Sequence, residues 1–504
     1  ASLESCFGAS ICGAKTITVI EKEDLPYIFS SIIKFNFVKS DGAFVIVVVD
    51  DIDKISALND VKEFAKICNL PLIDCKDTDE CYEILSDCFK YSQRYKIPVI
   101  MRVSSNIFYS TSVVDVESYR LKSNAIGLTK SQTHIVNSDL ILNKQPDLIS
   151  RKICIQNDFS TSQRNQIEGK PLTKKAILTD ALCYNLVKTS LELLNANPKL
   201  LKISTIYPMP VLLIKSFLEN IEELLIIEEC SDYIKKEIQS ICYEYNFDIK
   251  IIDNINPMVY SGLSLQNVCS NIAKYLNINY ENISTELDTK KSESPKNYLC
   301  AGCPYNMIIS AIKIAMQGKK YQITSGLSNC CYNINTNSNF DIYINKSSSY
   351  AISAGVNIVN EKVNSFILTD YQVFLHSGLQ NTLGCVYNSS NITICILSDF
   401  NNTEKNFDLK LLLSSIGIKY IKKVNPYDIQ LTKKLICDAE NNNGVKVIIF
   451  EGECIKDKKP APTLAIDQEK CIGCRECIKL IGCSALKIKR GEVIIDEDTC
   501  FGCQ

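Results

Sequence analysis

The chain has 504 residues, 46% of them hydrophobic and 22% charged, a balance that is ordinary for a globular protein and a length that suits three or four domains. Its formal net charge of −2 argues against a nucleic-acid-binding protein, and its longest apolar run, residues 43–49, is far too short to cross a bilayer. Most of the 25 cysteines are scattered singly, which favours a reducing compartment, so we expect a cytoplasmic protein.

Residues 1–112 alternate between predicted strands and predicted helices. Residues 44–49 are a continuous and mostly β-branched run bounded by Asp-Gly and Asp-Asp, which predicts a buried parallel strand. Helices are predicted over residues 61–68 and 80–91, and a further strand over residues 98–103. This alternation indicates an α/β domain with a parallel sheet, and ligands of such sheets usually bind at the carboxyl ends of the strands.

The next part of the chain divides into a connector and a second α/β domain. Residues 113–172 are polar and rich in Asn, Ser and Gln, so they are predicted to be the connector. The second α/β domain is predicted over residues 173–281, and its strand at 224–227 ends in Glu228 and Glu229. Two acidic residues there could bind a metal or act as a general base, but a solvated strand end or a cap on the following helix is the commoner role, and we expect one of these here.

A third α/β domain is predicted over residues 298–456, after a charged and Ser-rich linker. It opens with C-A-G-C-P, which places Cys300, Gly302 and Cys303 at the start of a predicted helix. A C-x2-C pair in this position can be a redox pair or half of a metal site. A turn with only a backbone role is an equally good interpretation of the same residues.

Two predicted strands of the third domain, residues 365–368 and 392–397, end close to Asp370 and Asp399. Because the carboxyl ends of parallel strands share one edge of a sheet, these two carboxylates can meet there. Hard oxygen ligands of this kind suit Mg²⁺ together with phosphate oxygens, and Asn401 could add another oxygen. The alternative is that both aspartates cap the following segments, and the residues alone favour it.

The end of the chain, residues 463–504, carries the most specific pattern. Its six cysteines are Cys471, Cys474, Cys477, Cys483, Cys500 and Cys503. Three thiolates at C-x2-C-x2-C spacing suit three irons of one cubane cluster, and the fourth ligand then comes from the other motif. Cys483 would therefore serve the cluster of Cys500 and Cys503. Structural zinc and a disulfide framework are the alternatives, but zinc sites usually use paired C-x2-C arms, so the triplet favours 4Fe–4S clusters.

The tail ends before two such clusters are complete. Each cluster needs four thiolates, and only six cysteines precede Gln504. The chain also begins with Ala-Ser and has no initiator Met. We therefore expect a chain that is cut at both ends.

Together these patterns resemble the alpha subunit of indolepyruvate ferredoxin oxidoreductase, within the thiamine-diphosphate-dependent 2-oxoacid:ferredoxin oxidoreductases. The resemblance covers essentially the whole chain, and the tail CIGCRECIKLIGCSA is its most specific part. The other segments that carry it are Gly8-Ala9-Ser10, FVIVVVDD, YPMP, IIEE, CAGCP, and FLHSG followed by VYNSSNITICIL.

The resemblance implies a fold of three parallel-sheet α/β domains and a small ferredoxin-like α+β domain. The first α/β domain (1–112) would be of the pyrimidine-binding type and the second (173–281) transketolase-C-like. The third (298–456) would bind a diphosphate and Mg²⁺, and residues 463–504 would hold the 4Fe–4S clusters.

The resemblance also implies roles for single residues. Asp370 and Asp399 would ligate the Mg²⁺ that holds the diphosphate of thiamine diphosphate. The CAGCP turn and His376 would lie near the cofactor, and His376 is the candidate catalytic residue, because an imidazole can donate a hydrogen bond to a developing oxyanion.

The function implied is oxidative decarboxylation of aryl pyruvates such as indolepyruvate to acyl-coenzyme A, with electrons passing through the clusters to ferredoxin. The partners would be the beta subunit of the same oxidoreductase, in a hetero-oligomer, together with ferredoxin, an aryl pyruvate and coenzyme A, and neither nucleic acid nor a membrane. A non-catalytic relative that serves as an electron relay or as an assembly module is the alternative.

Several positions depart from the family's pattern. Thr369 stands where the family has Gly, Ser398-Asp399 where it has Asp-Asn, and Tyr305-Asn306 where it has His-Arg. The glutamate that activates the aminopyrimidine would fall one position before Ala1.

Overall fold

The chain divides into two compact units, residues 1–283 and residues 284–504. The computed structural model describes residues 2–50, 60–113, 127, 136, 138–170, 173–228, 231–253, 263–279, 299–327, 340–342, 347–360, 362–398, 408–455, 462–489 and 491–503. Within those ranges no helix has the length and apolar content that crossing a membrane requires.

The first unit alternates helices and strands. Its helices are α1 (Ser2–Ile11), α2 (Leu25–Phe35), α3 (Val61–Cys68), α4 (Thr78–Tyr95), α5 (Ser105–Phe108), α6 (Ser138–Ser160), α7 (Ala181–Leu193), α8 (Val211–Leu218), α9 (Tyr233–Glu244) and α10 (Leu265–Leu276). Its strands are β1 (Lys15–Glu21), β2 (Ala43–Asp50), β3 (Leu72–Asp74), β4 (Val99–Ser104), β5 (Gln166–Glu168), β6 (Lys175–Asp180), β7 (Lys199–Ile203), β8 (Thr205–Tyr207), β9 (Glu223–Ile227) and β10 (Lys250–Asp253).

These strands form two five-stranded sheets, with the orders β1-β2-β4-β3-β8 and β10-β9-β6-β7-β5. Neighbouring strands are parallel, except that β8 pairs antiparallel with β3 and β5 pairs antiparallel with β7. Strand β2 is buried along its whole length, and its alternate residues enter two cores, Phe44 and Ile46 on one face and Val45 and Val47 on the other. The predicted buried parallel strand is therefore confirmed.

The stretch predicted as a connector contains regular structure. Helix α6 is 23 residues long, carries Pro146 in its interior, and packs Ile155 and Phe159 into the core beside Val45 and Val47. Strand β5 then adds an antiparallel edge to the second sheet. The polar composition of this stretch thus conceals a helix that covers one face of the first sheet.

The second unit holds a third sheet and a small terminal element. Its helices are α11 (Pro304–Ala315), α12 (Ser349–Val359), α13 (Tyr371–Val373), α14 (Leu379–Tyr387), α15 (Leu409–Ser415), α16 (Ile429–Glu440) and α17 (Glu476–Ile481). Its strands are β11 (Tyr321–Gly326), β12 (Asn364–Asp370), β13 (Ile392–Ser398), β14 (Tyr420–Val424), β15 (Lys446–Glu451), β16 (Leu486–Lys489) and β17 (Glu492–Ile495).

The third sheet is parallel throughout, in the order β11-β12-β13-β15-β14. The tail forms the antiparallel hairpin β16–β17, which with α17 makes a small α+β element. Three mostly parallel α/β sheets and a small α+β tail are the predicted fold class, which is confirmed.

One buried arginine joins the carboxyl ends of the two sheets in the first unit. Arg102 in β4 is fully buried, and its Nε lies 2.8 Å from Asp50 Oδ2 at the end of β2. Its Nη1 lies 3.0 Å from Asp74 Oδ2 at the end of β3 and 3.9 Å from Asp180 Oδ2 at the end of β6, in the second sheet. Burial raises the pKa of the Asp74 carboxyl to about 7, although Arg102 acts in the opposite direction.

A buried lysine extends this group of charges. Lys62 Nζ lies 3.0 Å from Glu228 Oε2 and 4.0 Å from Asp180 Oδ2. Glu228 also accepts hydrogen bonds from the backbone N–H groups of Ile234 and Lys235 in the first turn of α9. The predicted capping role is confirmed for Glu228, but the alternative of a solvated strand end is wrong because Glu228 is buried; Glu229 lies outside the described residues. Each buried charge therefore has an opposite charge within reach, as buried ions require.

We expect Arg102→Met to lower the free energy of unfolding of the first unit by about 3–5 kcal/mol, because it removes the counter-ion of the buried Asp74 and leaves Asp50 with Lys22 alone and Asp180 with Lys62 alone. The control is Arg94→Met, which breaks a 2.6 Å contact to Asp158 but whose side chain is 65% exposed, so it should cost less than about 1 kcal/mol. Urea titration followed by circular dichroism measures both. Equal shifts of the two midpoints would show that the buried charges do not stabilise the unit.

Candidate functional site

The carboxyl edge of the third sheet brings together the ends of β12 and β13. The two strands are parallel neighbours, and Asp370 pairs in register with Leu397, one residue before the end of β13 at Ser398. The Asp370 carboxylate accepts a hydrogen bond of 2.8 Å from the backbone N–H of Val373, so it caps the turn that follows. The other predicted Mg²⁺ ligands, Asp399 and Asn401, lie outside the described residues.

The C-A-G-C-P turn lies at the same edge. Gly452 directly follows β15, and a Cβ on it would lie 2.6 Å from Pro426 Cγ and 3.9 Å from Pro304 Cβ. Gly302 adopts φ +73°, a conformation that glycine accepts readily. The Tyr427 hydroxyl donates a 3.0 Å hydrogen bond to the Gly302 carbonyl. Packing and a hydrogen bond therefore fix this turn beside the ends of the strands.

Asn306, in the first turn of α11, is buried to 1% exposure. Neither its side-chain nitrogen nor its side-chain oxygen has a hydrogen-bond partner among the described residues. A buried amide in this state costs free energy unless a water or a ligand satisfies it. Asn306 follows the C-A-G-C-P turn by two positions, so this amide is a group near the turn that a bound ligand could satisfy.

His376 lies in a π-helical turn, Phe374–Gly378, which continues from α13 into α14. Its side chain is exposed, and the turn follows Asp370 at the carboxyl edge of the sheet. Such turns are rare and are often found at functional sites. The fully buried Tyr350 packs directly against this turn, because a Cβ on Gly378 would lie 2.3 Å from the Tyr350 hydroxyl oxygen.

We expect Gly378→Ala to destabilise the second unit by about 1–3 kcal/mol, because the new methyl group overlaps the Tyr350 hydroxyl. Gly384→Ala is the control, since a Cβ there meets no atom within 4 Å. Adding Tyr350→Phe to Gly378→Ala should restore part of the loss, because it removes the overlapping oxygen. Chemical denaturation measures all three, and a Gly378→Ala variant as stable as the Gly384→Ala variant would contradict the packing described.

The six tail cysteines are all outside disulfides, and none is fully buried. Left-handed backbone separates several of them, at Gly473, Arg475, Gly482 and Gly502. The Gly502 N–H lies 3.5 Å from Cys500 Sγ, as a donor to the sulfur. These turns bend the chain between closely spaced thiols, and iron–sulfur ligation by these six cysteines stays a prediction. Among the described residues, no three Cys, His, Asp or Glu side chains converge as ligands of a single metal ion.

The second cysteine pair of the tail contacts the C-A-G-C-P turn. A Cβ on Gly302 would lie 3.0 Å from Cys503 Cβ and 3.3 Å from Cys503 Sγ. Burial raises the pKa of the Tyr427 hydroxyl, and the nearby thiols of Cys303 and Cys503 act in the same direction. The structure thus places a predicted cluster ligand directly against the turn that the sequence predicts near the cofactor.

Comparison with known proteins supports the predicted resemblance. Over 100% of its length the chain is similar to indolepyruvate oxidoreductase subunit IorA from Archaeoglobus fulgidus (24% identical), Pyrococcus horikoshii (24%) and Thermococcus kodakarensis (25%), and it covers 86% of each. No family model matches the chain. The resemblance to indolepyruvate oxidoreductase alpha subunits is therefore confirmed along the whole chain.

Two solved structures show weaker likeness. A 2-oxoglutarate:ferredoxin oxidoreductase from Magnetococcus marinus aligns with a TM-score of 0.42 and 11% identity, over 54% of this chain and 55% of that one. A split gene transketolase aligns with a TM-score of 0.35 and 12% identity, over 55% of this chain and 81% of that one.

The structure gives roles to three residues that the sequence did not predict as site residues. Tyr427 holds the C-A-G-C-P turn from a distant part of the chain, Tyr350 packs under the π-helical turn, and Asn306 presents an unsatisfied amide. The first two roles depend on contacts between distant segments and left no local signal. Asn306 had a sequence signal, because it stands two positions after the C-x2-C-P turn where the resembled family has another residue.

Proposed function

We propose that this chain is a subunit of a 2-oxoacid:ferredoxin oxidoreductase that decarboxylates aryl pyruvates such as indolepyruvate to acyl-coenzyme A. The observation that carries the proposal is the contact between Gly302 and Cys503, since it joins the predicted cofactor edge to the predicted cluster tail. The full-length similarity to indolepyruvate oxidoreductase subunits supports the same conclusion.

Thiamine diphosphate, when bound, supplies the electron sink that allows carbon dioxide to leave a 2-oxoacid. The residues of this chain would bind and orient it at the carboxyl edge of the third sheet. Asp370 would hold the Mg²⁺ of the diphosphate, with Asp399 and Asn401 from the neighbouring strand end. Asn306 has the unsatisfied amide that such a ligand could engage. His376 would donate a hydrogen bond to the reacting carbonyl oxygen.

The tail would carry electrons away from this edge. Cys471, Cys474 and Cys477 would hold one 4Fe–4S cluster, and Cys500, Cys503 and Cys483 would hold the other, each with a further ligand. Ferredoxin is the proposed acceptor. The beta subunit of the enzyme and coenzyme A are the other proposed partners, in a hetero-oligomer in the cytoplasm.

A second candidate function is an electron relay or assembly subunit without its own catalysis. Two observations favour it. Asp370 already caps the turn that follows β12, and Tyr305 is buried where the resembled family carries a histidine. A relay subunit would keep the clusters and the scaffold but would not need the Mg²⁺ site.

An assay of the complete enzyme separates the two functions. With thiamine diphosphate, Mg²⁺ and coenzyme A, it should reduce ferredoxin when given indolepyruvate, and His376→Asn should lower turnover severalfold without changing the iron content. His134→Asn, at the only other histidine of the chain, is the matched control. Full activity in the His376→Asn variant would show that His376 takes no part in catalysis. No thiamine-dependent turnover in an enzyme with intact clusters would favour the relay function.

A second experiment tests the contact that carries the proposal. Gly302→Ala should disturb the cluster of Cys500 and Cys503, because the new methyl group overlaps Cys503. Gly318→Ala is the control, since Gly318 also has a left-handed φ (+80°) but a Cβ on it meets no atom within 4 Å. Electron paramagnetic resonance of the reduced protein should show one altered cluster signal in Gly302→Ala only. Identical spectra in the two variants would contradict the contact.

A further inference from the structure

Two cysteines of the first unit lie with their sulfur atoms 3.1 Å apart. Cys75 directly follows β3, and Cys81 lies in the first turn of α4. The two residues belong to none of the cysteine motifs of the tail or of the C-A-G-C-P turn. They also lie outside the proposed cofactor and cluster sites, so the proposed function leaves this pair unexplained.

The turn between β3 and α4 holds the two thiols together. Asp77 caps α4, because its Oδ1 accepts a 2.9 Å hydrogen bond from the Glu80 N–H. Glu80 in turn accepts a 2.9 Å hydrogen bond from the Lys76 N–H through Oε2, and its Oε1 lies 2.7 Å from Lys202 Nζ. These hydrogen bonds at the start of α4, together with the buried ion pair of Glu80 and Lys202, hold the backbone between Cys75 and Cys81 in place.

The two thiols differ in exposure and in acidity. Cys75 is fully buried, whereas Cys81 is partly exposed in the first turn of a helix, where the helix dipole favours a thiolate. The hydrogen bond between the two sulfurs lowers the pKa of Cys81, and the same hydrogen bond, with burial, raises the pKa of Cys75. An accessible attacking thiolate beside a buried resolving thiol is the arrangement of a reactive pair.

We propose that Cys75 and Cys81 form a redox-active dithiol that closes to a disulfide by exchange with the disulfide of a low-molecular-mass thiol. The Cys81 thiolate attacks one sulfur of that disulfide, and a mixed disulfide forms as the first thiolate leaves. Cys75 then attacks Cys81 Sγ and displaces the second thiolate, which takes up the Cys75 proton. The protein loses two electrons and two protons, and the small disulfide is reduced to two thiols.

Little movement is needed to close this bond. The sulfurs of a disulfide lie about 2.0 Å apart, so the pair must approach by only about 1 Å. The closed bond would tie the start of α4 to the end of β3, directly after Asp74, which is ion-paired with Arg102. Oxidation would therefore cross-link the chain beside the buried charges that join the two sheets.

Peptide mapping of the whole chain tests the proposal. The reduced protein is incubated without oxygen with glutathione and glutathione disulfide in varied ratio, then alkylated and digested with trypsin. Cleavage at Lys76 separates Cys75 from Cys81, so their disulfide joins peptide 67–76 to peptide 77–90. We expect this linked pair in the mass spectrum, with fragment ions that assign the bond to Cys75 and Cys81.

The same two peptides contain internal controls. Cys68 and Cys88 are both buried, so glutathione disulfide should not reach either thiol directly. The exposed Cys154 should acquire glutathione and so report that the reagent is active. The proposal would be overturned if peptides 67–76 and 77–90 stay unlinked at every ratio of glutathione to glutathione disulfide while Cys154 carries glutathione. A link through Cys68 or Cys88 would overturn it as well.

Single variants assign the order of the two steps. Cys75→Ser should trap glutathione on Cys81, because the resolving thiol is gone, whereas Cys81→Ser should abolish the linked pair and leave Cys75 unmodified. Cys88→Ser should keep the link at the level of the unchanged protein. Glutathione on Cys75 in the Cys81→Ser variant would contradict the assigned order. If a variant does not fold, the peptide map of the unchanged chain decides the proposal by itself.

Discussion

The buried guanidinium of Arg102 is the interaction on which the first unit depends. It is ion-paired at 2.8 Å with Asp50 and at 3.0 Å with Asp74 in its own sheet, and it lies 3.9 Å from Asp180 in the second sheet. Burial alone would lower the pKa of Arg102, but the surrounding carboxylates outweigh burial and raise it well above its ordinary value. One charge therefore lies within ion-pair distance of carboxylates at strand ends of both sheets. Strand β8, which follows β7 of the second sheet but pairs with β3 of the first, adds a backbone link between them.

In the second unit the corresponding constraint is steric. Gly302 has no side chain, and this lets the Cys503 loop of the tail lie directly against the C-A-G-C-P turn. Electrons that leave the carboxyl edge of the third sheet would meet the cluster of Cys500 and Cys503 first. The proposed enzyme therefore needs no large movement of the tail between the loss of carbon dioxide and the transfer of electrons. In a relay subunit, electrons would pass through the same contact between the C-A-G-C-P turn and the Cys503 loop.

The sequence predicts the structural features that depend on residues close together in the chain. The β-branched runs of β2 and β13 and the caps at Glu228 and Asp370 were visible because period, burial and capping are local properties. Helix α6 was missed because its polar composition and internal Pro146 resemble a connector, and only packing against the first sheet makes it helical. The pairing of β8 with β3, and the contact of Gly302 with Cys503, join segments that are far apart in the chain. No single-sequence pattern encodes such contacts.

The proposed function requires the carboxyl edge of the third sheet to deliver electrons to the tail clusters. A single-turnover measurement on the complete enzyme, with thiamine diphosphate and without ferredoxin, tests it most directly. Indolepyruvate and coenzyme A should bleach the visible absorbance of the 4Fe–4S clusters and produce the paramagnetic resonance signal of reduced clusters. If the clusters stay oxidised with indolepyruvate but are reduced by dithionite, the clusters receive no electrons from the carboxyl edge of the third sheet, and the proposed function is wrong.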